Sequence, residues 1–270
     1  MELGQIEAFV EAQRRGSITR AAAALELTQP TLTARLRGLE QELGAQLLVR
    51  GRRGVAETRA AREGRGGVLA LGLATDLALY IAPTALARFA RAHPDVEISV
   101  RSGRSHAVAE ALRADEIEIA LVSQLVALPE LASRPLFEES VPAVVGRAHA
   151  FAARGRVGIE DLARSGLVMR DPSAYLHAIT VAYFAAAGTA PRILMELNNT
   201  EACKRVVLAG LGAAFLPQMA IHNELRRGEL VALRVEGHPA PKRTIHVMTR
   251  AGAEVSPTAN ALLRVLPRPS

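Results

Sequence analysis

The chain has 270 residues, 49% of them hydrophobic and 22% charged, which is enough apolar material for packed cores and argues against global disorder. The net charge of +6 is carried almost wholly by arginine, since Lys204 and Lys242 are the only lysines; arginine forks suit phosphates and guanine edges, although a codon bias toward Arg and Ala explains the excess equally well. Cys203 stands alone, so no disulfide forms within the chain, and no run reaches the roughly 18 apolar residues of a membrane span. Glu2, Glu7 and Glu11 fall where a secretion signal needs a basic start, so the expected location is the cytoplasm.

Residues 1–58 read as helical with a hairpin at the end. Ile6, Phe9 and Val10 share one helical face, Arg15-Gly16 ends that helix, and Ser17 can cap the next. Ala21 to Ala24 and Leu25 form a short helix whose small side chains allow close approach of a neighbour. A third helix opens at Thr28, tolerates Pro30 in its first turn, and carries Leu32, Leu36, Leu39 and Leu43 as its core-facing stripe. The stretch LLVRGRRGVAET then predicts strand, basic turn and strand, a wing. Residues 59–67 read as a linker.

Beyond the linker the texture changes. VLALGLA (68–74) is a continuous apolar run, as a buried parallel strand would be. A helix is expected from about Leu77 to Ala92 with Pro83 inside it, then a strand at 96–100, a helix near 105–114 and a strand at 117–122. A second series follows: strands at 141–146 and 166–169, a helix from about Ala174 to Ala187, a strand at 192–197, a helix from about 201 to 209, and a strand at 212–217. Strands at 229–235 and 244–249 and a helix near 257–266 complete the chain. Strands alternating with helices predict a doubly wound α/β domain, here in two similar lobes that suggest a cleft.

The densest functional signal is GSITRAAAALELTQPTLTARLRGLEQELGAQLLVRGRRG. A turn between the second and third helices makes the third a recognition helix. Its leading positions carry Thr28, Gln29, Pro30, Thr31, Thr33, Ala34 and Arg37. Gln and Thr hydrogen-bond base edges, Arg reads guanine or grips phosphate, and a helix N-terminus accommodates a backbone phosphate. Arg50, Arg52 and Arg53 in the wing are placed to clamp the flanking backbone. Leu25, Leu32, Leu39 and Leu43 are explained by core building alone; Gln29 and Thr33 are not.

In these residues the chain resembles the LysR-type transcriptional regulators. The match runs in order through Phe9, Gly16-Ser17, Thr19-Arg20-Ala21-Ala22, Leu25, Thr28-Gln29-Pro30-Thr31-Leu32-Thr33, Leu39-Glu40, Leu43-Gly44, Leu47 and Arg50, and continues through Pro83, Phe89, His93-Pro94, Val96 and EACKRVVLAGLGAAFLPQMAI. The resemblance implies a winged helix-turn-helix fused to a two-lobed α/β domain of the type II periplasmic-binding-protein kind. Lobe I would hold about 68–138 and 244–270, and lobe II about 139–243. It implies binding to promoter or operator DNA, and an effector clamped between the lobes near Asp76, Ser105, Ser123, Arg170, Asn199 and Thr200, with Met169 and Ser173 close by. N-capping explains Asp76, Ser105, Ser173 and Thr200 equally well, and Arg170 has Asp171 as an alternative partner. Effector binding would shift a population of lobe arrangements and with it the spacing of the DNA heads.

Three departures from the family pattern stand out. Ala34 replaces a frequent Arg, and Arg35 points about 100° away around the helix. Asp76 replaces Ser or Thr, which predicts a neutral or cationic effector, or a site elsewhere. The long helix that joins the domains and pairs into the family dimer is largely absent: Arg59 to Val68 would span roughly 15 Å even if wholly helical, with Gly64, Gly66 and Gly67 inside it. A homodimer through the effector lobes is therefore one expectation, and RNA polymerase another partner; an atypical DNA-binding protein without the usual dimer and effector response, and a plain solute-binding protein, are the alternatives. No cofactor, metal site or catalytic group is expected, because the histidines are dispersed and no G-x-S-x-G elbow or phosphate loop occurs.

Overall fold

In the computed structural model the described residues are 3–43, 46–51, 54–57, 68–253 and 255–266. The linker at 59–67, with Arg52 and Arg53, lies outside them. The chain divides into two compact units, one of Met1–Arg134 with Val247–Pro267, the other built from Pro135–His246.

The first unit opens with α1 (Leu3–Arg15), α2 (Ile18–Ala24) and α3 (Gln29–Leu43), followed by the antiparallel pair β1 (Leu48–Gly51) and β2 (Gly54–Glu57). Ser17 caps α2, its Oγ accepting the N–H of Arg20, worth about 1 kcal/mol for such a cap. The three helices close a core of their own around Ala8, Ala12, Ile18, Ala21, Ala22, Leu32 and Leu36. Here the size-based stripe misleads: Ile6 and Val10 on α1 are 37% and 49% exposed, and Leu43 is 52% exposed. Ala8 and Ala12 face the partner helices in their place, because close-packed helices bury small side chains at the contact line. The turn from α2 to α3 is tight. Glu26 takes the left-handed conformation at φ 53, and the Leu27 N–H reaches back to the Ala22 carbonyl at 2.9 Å.

The rest of this unit begins with β3 (Val68–Ala74), which pairs in parallel with both β4 (Glu97–Gly103) and β5 (Ile119–Val122). The helix expected from Leu77 to Ala92 is two helices, α4 (Thr75–Tyr80) and α5 (Ala82–Ala92), which meet at Ile81. Pro83 lacks an N–H and sits in the first turn of α5, where none is needed. Next comes α6 (Ser105–Arg113), against β3. A Cβ at Gly72 would stand 2.2 Å from Ile117 Cδ1, so only glycine allows that closeness.

The sheet runs β4-β3-β5-β13-β6, with β6 (Leu131–Ser140) and β13 (Lys242–Arg250) as its last members. The division between the units falls within both of these strands. Helix α11 (Pro257–Val265) is capped by Ser256.

The second unit holds β7 (Ala143–Gly146), β8 (Arg156–Val157), α7 (Ile159–Ser165), β9 (Leu167–Arg170), α8 (Tyr175–Ala186), β10 (Ile193–Leu197), α9 (Thr200–Leu208), β11 (Ala213–Phe215), α10 (Gln218–Arg226) and β12 (Leu230–Val235). Its sheet order is β10-β9-β11-β7-β12-β8. β9 runs parallel to β10 and β11, but β7 is antiparallel to β11 and β12. The core packs Leu167, Met169, Phe184 and Phe215 with their neighbours. Glu139 and Arg243 are sealed within this unit, Nε to Oε1 at 2.7 Å, while the Met219 N–H donates to Glu139 Oε2 at 3.2 Å.

Candidate DNA-reading and effector sites

The first turn of α3 is exposed. Thr28 precedes it, and its Oγ1 accepts the N–H of Thr31 at 3.3 Å and lies 2.7 Å from the Thr31 hydroxyl. Thr28, Gln29, Pro30, Thr31, Ala34 and Arg37 are exposed and Thr33 is half-buried, while Leu32, Leu36 and Leu39 face inward. Thr19 on α2 donates its hydroxyl hydrogen to Gln29 Oε1 at 3.4 Å. Arg35 turns toward α1: a Cβ at Gly4 would lie 3.0 Å from its Nη1. The 100° offset expected of Arg35 therefore has a visible partner. Arg50 sits in β1 opposite Val55.

Sequence reasoning gave Glu40 no role of its own. Its Oε1 accepts the N–H groups of Leu47 and Leu48 at 2.8 and 3.2 Å, fixing the entry to β1 onto α3. Burial pushes the Glu40 carboxyl above the ordinary value of 4.5, with the two N–H groups opposing. The Val55 N–H bonds the Gly16 carbonyl at 2.8 Å, which pins the hairpin to the first turn of the head. The signal in the sequence was the Leu39-Glu40 step of the family pattern.

Among the effector candidates of the first unit, Asp76 and Ser105 are both 7% exposed and lie in the first turns of α4 and α6. Ser105 does not cap its helix; its Oγ accepts the Gln124 N–H at 3.3 Å and so meets the segment after β5 that begins with half-buried Ser123. In the second unit Arg170, Asn199 and Thr200 come together. Arg170 Nη1 donates to Thr200 Oγ1 and Nη2 to the Asn198 carbonyl, both at 2.9 Å. Asp171 is a looser partner at 3.7 Å. Asn199 caps α9, accepting the Ala202 N–H at 2.7 Å, and Thr200 is 1% exposed. Cys203 is buried, its Sγ 3.5 Å from the Met169 carbonyl. Among the described residues no cluster of His, Cys, Asp and Glu is arranged to hold a metal, and no helix is long and apolar enough to cross a membrane.

Two protein families match this chain. The bacterial regulatory helix-turn-helix proteins of the lysR family match residues 3–62, and the LysR substrate binding domain matches residues 62–268. The chain belongs to the LysR family of transcriptional regulators. Its head binds DNA and its C-terminal domain senses a small-molecule effector. The hydrogen peroxide-inducible genes activator of Dickeya chrysanthemi is 27% identical over 277 residues, covering 94% of this chain and 90% of that protein. The regulator CbbR of Xanthobacter flavus is 27% identical over 293 residues, covering 98% and 87%. A full-length OxyR variant from Pseudomonas aeruginosa shares the fold with a TM-score of 0.64 at 20% identity, covering 98% of this chain and 99% of that one. CbnR, solved in complex with its target DNA, has a TM-score of 0.62 at 19% identity over the same shares.

Proposed function

We propose that this LysR-type regulator reads its operator with the N-terminal end of α3. Thr28, Gln29, Pro30, Thr31, Thr33 and Arg37 meet the DNA there, and Arg50, Arg52 and Arg53 hold the flanking backbone. The observation that carries this reading is the capped, exposed first turn of α3, with Arg37 exposed further along the helix. Working on DNA, the protein acts in the cytoplasm and influences RNA polymerase at the promoter, with no catalytic step.

Asp76, Ser105, Ser123, Arg170, Asn199 and Thr200 make up the effector set. Arg170 enters it through the 198–200 segment it ties down, not as a free receptor for an anion. The carboxylate of Asp76 disfavours an anionic effector beside it, so the ligand there is neutral or cationic. The chain has a single cysteine, Cys203, and it is buried, so its response involves no disulfide within the chain.

The two family matches meet at residue 62, which supports a joining segment confined to residues 59–67. Dimerisation therefore rests on the effector domain, and the effector acts by shifting a population of arrangements. The deciding experiment is sedimentation of the full chain across a wide concentration range, alone and with duplexes from its own upstream region. A dimer that binds one of those duplexes in preference to scrambled DNA is expected. A persistent monomer with equal, salt-sensitive affinity for every duplex would overturn the reading.

A further inference from the structure

We infer that the acidic segment 115–118 closes off the DNA-reading face of α3, so that the chain must release its head before it takes DNA. The inference rests on the reading role of α3 and adds how that role is regulated.

The head and the sheet that begins with β3 belong to one compact unit. Between them lies a cavity of about 580 Å³. The reading helix contributes Gln29, Thr33, Ala34 and Arg37 to its walls. The segment joining α6 to β5 contributes Asp115, Glu116 and Glu118. Water reaches the α3 side chains, but the space before them is bounded. A cavity of that size suits a small molecule. It does not admit a duplex, whose major groove alone is about 12 Å wide and about 8.5 Å deep. The wall also has the wrong sign, because its carboxylates repel the phosphates that α3 has to meet. Arg37, the cation placed to grip DNA, shares this cavity and a smaller one beside it with Glu118.

The carboxyls register this closeness. Burial raises Glu40 of α3 above the ordinary value of 4.5, and the charge of Glu118 adds to the rise; burial raises Glu118 as well.

The acidic segment is held from several directions. Glu118 Oε1 accepts the Ser256 N–H at 2.7 Å, and the Glu118 N–H donates to the Ala70 carbonyl at 2.8 Å. Asp115 pairs with Arg250 at 2.8 Å, and Ile117 is buried in the core beneath. The head is tied within itself as well, so opening separates two formed bodies and melts neither. Ser105, an effector candidate, opens the same helix α6 that leads into the acidic segment. That helix therefore serves both the effector set and the closure.

The test is a cleavable cross-link in the full chain. Ala34→Cys and Glu116→Cys are combined and treated with a bis-methanethiosulfonate, which a reductant removes. Cys203 is buried, and each single variant controls for it. Anisotropy then follows a duplex that the full chain has selected from a random-sequence library, at one fixed salt concentration. The link should form within one chain, seen as monomer mass on a denaturing gel, and prior addition of the selected duplex should suppress it. The linked chain should bind that duplex at least about tenfold more weakly than the reduced chain, because its competent fraction falls. Reductant should restore the affinity.

If the linked chain binds as tightly as the reduced one, segment 115–118 does not obstruct α3 and the proposal is wrong. If no link forms within a chain, or the duplex leaves its yield unchanged, DNA does not compete with a closed form and the proposal is wrong as well. Gln29→Ala and Arg37→Ala in the unlinked chain separate this failure from a deeper one. If both keep full sequence preference, α3 is not the reader, and the proposed function falls together with this inference. Thermal melting of the reduced variants and a second pair, Thr33→Cys with Glu116→Cys, keep the result from resting on one folded protein.

Discussion

The ion pair between Glu139 and Arg243 offers a test of how this fold treats buried charge. The side chains are 0% and 1% exposed, Oε1 meets Nε at 2.7 Å, and Oε2 accepts the Met219 N–H that opens α10. Removing one partner leaves the other charge sealed from water, which costs about 3–5 kcal/mol. Glu139→Met and Arg243→Met should each lose that amount. The double variant has no stranded charge; among the described contacts, the Met219 N–H loses its acceptor, at about 1–3 kcal/mol. The coupling in a double-mutant cycle should therefore be at least about 3 kcal/mol. For a domain of this size each kcal/mol moves the melting point by roughly 2–4 °C, so either single variant should melt roughly 6–20 °C lower. The assay is urea unfolding of the full chain, followed by circular dichroism and tyrosine fluorescence. Lys242→Ala is the control, because the Lys242–Glu138 pair at 3.7 Å is exposed on both sides and should not change the midpoint measurably. A double variant whose loss equals the sum of the singles would refute the reasoning, since the pair would then act as two independent side chains.

Three other outcomes are expected. Glu26→Gly should stabilise the head by about 0.5–1 kcal/mol, because Glu26 pays a steric penalty at φ 53 that glycine avoids; hydrogen exchange of α2 and α3 amides would report it, and faster exchange would contradict it. Gly146→Ala should cost about 3 kcal/mol or more, since the new Cβ meets the Val207 carbonyl oxygen at 2.4 Å, whereas Gly158→Ala, with Asp161 Oδ2 at 3.9 Å, should stay within about 0.5 kcal/mol; urea midpoints compare the two. Glu40 keeps its proton to higher pH folded than unfolded, so its contribution to stability falls as pH rises from 4.5 through the raised folded value, and is constant above it. Glu40→Gln retains an oxygen for both N–H groups and removes that slope, so its stability relative to wild type should climb from pH 4.5 to neutrality; a relative decline would show that ionised Glu40 is favoured.

The sequence made some parts of this molecule legible and hid others for identifiable reasons. The apolar run of β3 and the helices at 105–113 and 175–186 follow from pattern, because burial there is simple. β6 carries Arg134, Pro135, Glu138 and Glu139 and mostly exposed side chains, so nothing in its pattern announces a strand. α10 buries only Ala220 and Ile221, and α7 only Leu162 and Ala163, which is too little periodicity to read. Among candidate site residues, position along the chain was readable, but engagement was not. The Arg170–Thr200 bond joins residues 30 apart, and the Thr19–Gln29 bond joins residues 10 apart. Neither leaves a local signature, because each depends on how two elements pack.

Gly38 shows how such packing reverses a local judgement. Taken alone, a glycine inside α3 costs up to about 1 kcal/mol of helix stability. In the structure a Cβ there would stand 2.7 Å from Gln5 Nε2, so the Gln5 side chain crosses α3 where the glycine leaves room. Arg35 covers Gly4 from the other helix in the same way. Each helix thus gives up a side chain where its neighbour lays one down, and propensity is exchanged for a closer α1–α3 contact. Add the Glu40 bonds to β1 and the Val55–Gly16 bond, and every element of the head is tied to another before DNA arrives. A head built this way presents α3 already formed, so its DNA affinity does not have to cover the entropy of ordering the reading surface. Under the proposed function, the effector then finds the described elements of the head already tied together. What remains for it to change is the placement of whole heads, which sets how many half-sites are engaged together.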